Sequence, residues 1–381
     1  MAQINIVHAT ALSPSGLLPD TLVMVSNGKI ENVEPYHEQT LDGEVVDATG
    51  RFLSPGWIDI QINGGFGLDF TDDPTAIWEV ARQLPRYGTT SFLPTIITSP
   101  PEKLHQALKV LRKGPPPGWR GASPLGIHAE GPFLNPQKKG AHNPLYLQTP
   151  AVSMVEGWSR ENGVWLVTLA PELPGTADVM ETLTAGNVII SAGHSMATYD
   201  DAMDSFKKGI RCGTHLYNAM PPILHRDPGL AGALLARPEI VVGLIADGIH
   251  CHPGMLQLAW RSKGPSGIAL VTDAMGAMGM PPGQYEFTGF EITVDSSSAR
   301  LRDGTLAGSI LTMDQSLQNM INWLQLKLEQ VIPSLTSTPA SLLGVPGKGH
   351  LVSGADADLV LLTETGQVLK TWIGGQLVYS S

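Results

Sequence analysis

The sequence predicts an α/β protein, a TIM-like (β/α)8 barrel with a small β-sandwich domain built from both chain ends. Three observations carry that prediction. From Pro55 onward, eight apolar, β-rich runs alternate with helical stretches, at 57–62, 90–94, 125–128, 164–169, 188–192, 210–214, 240–246 and 268–272. Such alternation builds a parallel sheet, and eight units close it into a barrel. The two chain ends consist instead of short strands and tight turns. Residues able to do chemistry collect just past the apolar runs, where the loops of a barrel's carboxyl face lie. A doubly wound open sheet is the second choice, but that fold uses fewer strands.

In chain order, 4–7, 21–26, 29–33, 45–48 and 51–53 read as strands, with Asn27-Gly28 as a hairpin turn. Runs at 359–362, 368–373 and 376–379, with Gly374-Gly375 as a turn, have the same character. Residues 1–53 and 346–381 are therefore expected to form the sandwich, and 54–345 the barrel. Helical spacing appears at 75–84, 101–111, 197–208 and 255–261. The Pro115-Pro116-Pro117 run is a surface turn rather than a linker.

Composition narrows the function classes. The chain has 381 residues, of which 42% are hydrophobic and 15% charged, and this describes a folded soluble protein. A net charge of −11 argues against nucleic acid or an anionic membrane as partner, so an anionic substrate needs a local cluster of donors. Two cysteines, Cys212 and Cys251, cannot make a disulfide framework and are expected to be buried and inert. With no secretory pattern at the start and no membrane-length apolar run, the expected location is cytoplasmic.

The chemistry centres on residues 188–220. Two apolar runs there each end in a glycine followed within two residues by a histidine, His194 and His215, and a helical stretch lies between. Parallel strands joined by a helix place their carboxyl ends side by side, so the two imidazoles should meet. Two core histidines satisfied by backbone are the bland alternative. The third run exits into Glu130, and Glu130, His194 and His215 form a two-His, one-carboxylate set suited to a catalytic divalent ion. Zinc favours such ligands and ferrous iron accepts them. As a purely structural residue, Glu130 would be a helix N-cap or a loop salt bridge. Asp273 closes the eighth run and suits a general base that turns acid toward a leaving group; a further ligand or an N-cap is its other reading. The first run exits into Gln61 and Asn63, and the seventh into Asp247 and His250. His142, His225 and Arg226 lie on Gly/Pro-rich loops, where Arg226 and His250 could grip a phosphate. Asn218-Ala219 could add donors, whereas Lys138 and Lys139 read as solvated surface.

Five segments in order, GIHAEGPFLN, ISAGHS, GTHLYNAM, ADGIH and LVTDAMGAMG, resemble the N-acetylglucosamine-6-phosphate deacetylases, a family of the amidohydrolase superfamily. The resemblance covers most of the chain. It implies one divalent metal ion per chain, zinc foremost with Fe2+ or another divalent ion compatible, on Glu130, His194 and His215. It also implies Asp273 as the acid/base residue. Ala141, His142, Asn218, Ala219, Arg226, His250, Leu306, Ala307 and Gly308 would line the amino-sugar phosphate site. The implied partners are a phosphorylated amino sugar and further copies of the chain, as a homodimer or higher homo-oligomer, and the loop carrying Arg226 can cross such an interface. Many superfamily members open the barrel with His-x-His for a second ion; Gln61-Ile62-Asn63 replaces it here, which points to a single-metal site. The expected reaction is hydrolysis of an acetamido group on a phosphorylated hexosamine. The rival readings are an amidohydrolase acting on a cyclic amide or N-acyl amino acid, and a non-catalytic binding protein on the same scaffold.

Overall fold

The computed structural model describes residues 3–14 and 16–381. Eight parallel strands follow one another in chain order: Trp57–Ile62, Thr89–Ile97, Ile127–Glu130, Val164–Leu169, Ile189–Ala192, Ile210–Gly213, Val241–Leu244 and Ile268–Leu270. The ring closes just past the last of them. There the Asp273 N–H donates to Gln61 O at 2.8 Å, and Ile62 and Ala274 form a parallel bridge. Strands covered on both faces need apolar residues at nearly every position, and Trp57–Ile62 is buried throughout. Ile58, Ile60, Leu93, Leu166, Cys212, Ala269 and Val271 share one apolar cluster inside the ring. A second, larger cluster lies between strands and helices.

Toward the carboxyl ends the interior turns polar. The ring of His128 lies 3.1 Å from Ile60 O through Nδ1 and 2.7 Å from Thr168 Oγ1 through Nε2. Thr168 continues to Thr214 at 2.7 Å, and Thr214 to Ser191 at 2.5 Å. Burial drives His128 down to about 4, so it is a neutral hydrogen-bonding residue beneath the site.

Several boundaries differ from the sequence expectation, for local reasons. The third strand runs Ile127–Glu130 rather than 125–128, which places Glu130 inside the strand. The 255–261 stretch forms a longer helix that begins at Pro253, where the His252 side chain accepts from Gly254 N–H, and ends at Lys263. The 197–208 stretch forms the helix Tyr199–Lys207, because Thr198 and Asp201 make a reciprocal capping box that fixes its start. An unanticipated three-stranded antiparallel sheet, Gly283–Phe287, Phe290–Val294 and Ala299–Leu301, follows the eighth strand. Its strands alternate apolar and polar residues, but Thr288-Gly289 breaks the pattern into pieces too short to assign alone.

Both chain ends meet in one eight-stranded sheet, ordered Gln376–Ser380, Val368–Ile373, Leu359–Leu362, Phe52–Pro55, Ile4–Ser13, Gly16–Ser26 and Lys29–Pro35, with Glu44–Asp47 also pairing with Ile4–Ser13. Ile30, on the last strand of that path, and Trp372, on the second, share a single apolar core with Val23 and Leu53. The sheet therefore curls over itself. Both cysteines are buried, and burial pushes their thiols up, to about 11 for Cys212 and about 12 for Cys251. No helix among the described residues is long and apolar enough to cross a membrane.

Candidate active site

The carboxyl face of the barrel opens into a cavity of about 510 Å³. Glu130, His194, His215 and Asp273 line it together, delivered by the third, fifth, sixth and eighth strands. His194, His215 and Asp273 all adopt left-handed backbone, at φ of 47°, 30° and 48°. Such a conformation is costly outside glycine and turns each side chain sharply off its strand.

One ligand atom each from Glu130, His194 and His215 lies within 4.8 Å of the others. The two Nε2 atoms stand 3.0 Å apart and 3.3 Å (His194) and 3.2 Å (His215) from Glu130 Oε1. His194 Nδ1 lies 2.8 Å from Lys138 O, and a carbonyl only accepts. Nδ1 therefore carries the proton, and the lone pair of Nε2 faces the cluster. Three buried donors converging in this way fit a divalent cation. Burial opposes ionisation of Glu130, but the His194 and His215 rings beside it outweigh that cost and hold the carboxyl well below its usual range. Burial likewise works against charge on His215, and Glu130 raises it overall.

Asp273 behaves oppositely. Burial, reinforced by the Glu130 carboxylate, pushes it up to about 6. Two amides sit between these acids: Gln61 Nε2 donates to Glu130 Oε1 at 3.1 Å and to Asp273 Oδ1 at 3.2 Å, and Asn63 Nδ2 donates to Asp273 Oδ1 at 2.8 Å. Two carboxyls with their proton affinities driven apart are a usual acid/base arrangement. Gly308 presses on the same spot, since a Cβ there would stand 2.9 Å from Asp273 O.

His142 packs edge-on against His194, with ring centroids 4.5 Å apart. The Thr98 N–H points at its Nδ1 at 3.3 Å, which assigns the ring proton to Nε2, and Nε2 lies 3.8 Å from Glu130 Oε2. Burial, first, and His194 next drive His142 down to about 3, so the ring is a neutral donor. His250 is oriented by Asp247, whose Oδ2 lies 2.6 Å from His250 Nδ1.

Ala141, Asn218, Ala219, Leu306, Ala307 and Gly308 line the same cavity. Arg226 does not line it within one chain; the sequence reading allows its loop to cross an interface between copies. Arg226 is exposed on the 221–227 turn before Pro228, with Ile223 and Leu224 also exposed. Lys138, read from the sequence as solvated surface, lines the cavity and is half-buried. Asp69, Phe287, Thr288 and Arg300 were not anticipated. The last three arrive on the inserted sheet. Asp69 is held by the amides of Thr71 and Asp72 and pushed up to about 7 by burial.

The amidohydrolase family pattern matches residues 52–378. An N-acetylglucosamine-6-phosphate deacetylase from Danio rerio is 39% identical over 93% of this chain and 92% of its own, and one from Homo sapiens is 38% identical over 94% and 91%. The crystal structure of the Pasteurella multocida enzyme of that name superposes over 100% of both chains with a TM-score of 0.93 and 31% identity. A mutant of the Mycobacterium smegmatis enzyme, solved in complex with N-acetyl-D-glucosamine-6-phosphate, has a TM-score of 0.89 at 30% identity over 100% of this chain and 99% of its own. The chain thus belongs to the amidohydrolase family, and within it to the N-acetylglucosamine-6-phosphate deacetylases.

Proposed function

We propose that this chain hydrolyses the acetamido group of N-acetylglucosamine 6-phosphate to glucosamine 6-phosphate and acetate. The observation that carries the reading is the placement of Asp273 beside the Glu130, His194 and His215 cluster in one cavity. Those three residues would hold one divalent ion, which we assign as zinc on ligand type. When bound, the ion supplies Lewis acidity toward the amide carbonyl and lowers the pKa of a nearby water.

The chain's own residues do the rest. Asp273 Oδ1 is committed to the amides of Gln61 and Asn63, which leaves Oδ2 to take a proton from the attacking water. The same oxygen then returns it to the departing nitrogen. His142 Nε2–H donates toward the carbonyl oxygen as negative charge develops there. Asn218, Ala219 and His250 face the phosphorylated end of the sugar. A homo-oligomer is part of this reading, because the exposed Ile223, Leu224 and Arg226 then meet a second copy rather than water.

Incubation of the zinc-loaded protein with N-acetylglucosamine 6-phosphate should release acetate and glucosamine 6-phosphate in equal amounts. Unphosphorylated N-acetylglucosamine should turn over far more slowly. Absence of acetate with both sugars would overturn the reading.

A further inference from the structure

The cavity wall holds a cation that the amide chemistry does not use. Lys138 ends the short 3-10 turn Pro136–Lys138 on the loop after the third strand. Its carbonyl accepts from His194 Nδ1 at 2.8 Å, and its Nζ donates to Met220 O at 2.9 Å. Both ends of the residue are therefore fixed. Met220 directly follows Asn218-Ala219, and Ala219 O accepts from Ser195 N at 3.1 Å. The Lys138 ammonium thus sits where the loops after the third, fifth and sixth strands converge, beside the wall formed by Asn218, Ala219 and His250.

An ammonium carries three donors, and Met220 takes one. No carboxylate pairs with Lys138 among the described residues, so a half-buried charge faces the cavity with one neutral acceptor. Withdrawing a charge from water without a counter-charge is costly, and an anionic ligand relieves that cost. The other cation lining the cavity is already engaged. Arg300 donates to Ser298 Oγ at 3.2 Å and to Gly304 O at 3.0 Å, both on its own hairpin. Within one chain, Lys138 is the cation best placed for an anion bound beside Ala219.

We propose that Lys138 reads the anionic end of the substrate, its ammonium pairing with the phosphate monoester of the bound amino sugar. This rests on the amino-sugar phosphate reading above. The residue acts on affinity and specificity and takes no part in the hydrolytic step. Its bond to Met220 anchors the ammonium end of the long side chain, so less rotamer freedom is left to lose on binding.

The test compares metal-loaded wild type, Lys138→Met, Lys138→Arg and Arg300→Met. Michaelis constants are measured for N-acetylglucosamine 6-phosphate, and kcat/KM for N-acetylglucosamine. Lys138→Met should raise KM for the phosphorylated sugar about ten- to a hundredfold, with kcat and use of the plain sugar within about twofold of wild type. Lys138→Arg should recover most of the loss. Metal content should not change, because the contact to His194 is main chain. Equal losses with both sugars, loss of metal, or a phosphate-specific defect in Arg300→Met but not in Lys138→Met would each overturn the proposal. Should wild type hydrolyse neither sugar, the hydrolase reading fails by itself. Calorimetric titration with glucosamine 6-phosphate then decides the lysine's role: weaker binding to Lys138→Met supports it, and unchanged binding refutes it.

Discussion

Asn63 Nδ2 donates to Asp273 Oδ1 at 2.8 Å, so one oxygen of the Asp273 carboxylate is occupied and the other is left to move a proton. Asp273→Asn retains an oxygen for the Asn63 and Gln61 amides but cannot shuttle a proton. Turnover should fall at least roughly a hundredfold while metal content and product binding stay near wild type. Near-normal turnover in this variant would move the base role elsewhere, with His142 the first residue to examine.

Metal stoichiometry is the second prediction. The amides that stand in place of His-x-His turn their NH2 groups onto Glu130 and Asp273, so they offer those carboxylates hydrogen bonds rather than offering a cation lone pairs. Elemental analysis should find one tightly held divalent ion per chain; two would contradict this arrangement. His194→Ala or His215→Ala should lose metal and activity together, and a variant that kept its metal at normal affinity would remove that residue from the ligand set.

His142 supplies the third. Its neutral ring, with Nε2–H facing the cluster, suits a donor to a developing oxyanion. His142→Phe keeps an aromatic ring against His194 but removes the donor. The expected loss in kcat is roughly a hundred- to a thousandfold with metal retained. A change confined to KM would show that His142 serves binding alone.

The fourth concerns stability and pH. Burial pushes Asp59 up to about 7, although Thr272 Oγ1 donates to its Oδ2 at 2.6 Å and Gln61 N–H to its Oδ1 at 3.1 Å. Between about 4 and 7 the folded chain holds a proton that the unfolded chain releases, so this group makes stability fall as pH rises through that window. Asp59→Asn removes the titration. Denaturant midpoints at both ends of the window should then differ less than in wild type, by roughly 2–4 kcal/mol of stability. Identical pH slopes for the two proteins would show that Asp59 does not carry the shift.

Much of the site was legible in the sequence because its signals are local. Each apolar run ends within a few residues of the side chain it delivers, so Glu130, His194, His215 and Asp273 could be read from strand exits alone, and the barrel itself placed them on one face. The strand–helix–strand unit around His194 and His215 is short enough for its connection to decide that they meet.

Relations between distant segments were settled only by tertiary packing. The amide bridge from Gln61 to both acids spans 69 and 212 residues of chain, and no pattern along one strand encodes it. The tautomer of His142 depends on the Thr98 amide, 44 residues away and just past the second strand. Lys138 and Arg226 look alike in sequence, as cations on Gly/Pro-rich loops, yet packing treats them oppositely. A backbone bond to His194 and a side-chain bond to Met220 draw Lys138 into the cavity, whereas the proline-bounded turn leaves Arg226 exposed on the surface of the single chain. Local sequence determined which residues could do chemistry, since strand periodicity and turn residues act over a few positions. Which charges line the cavity of one chain was decided by the tertiary structure, because burial and long-range hydrogen bonds exist only once the loops have packed.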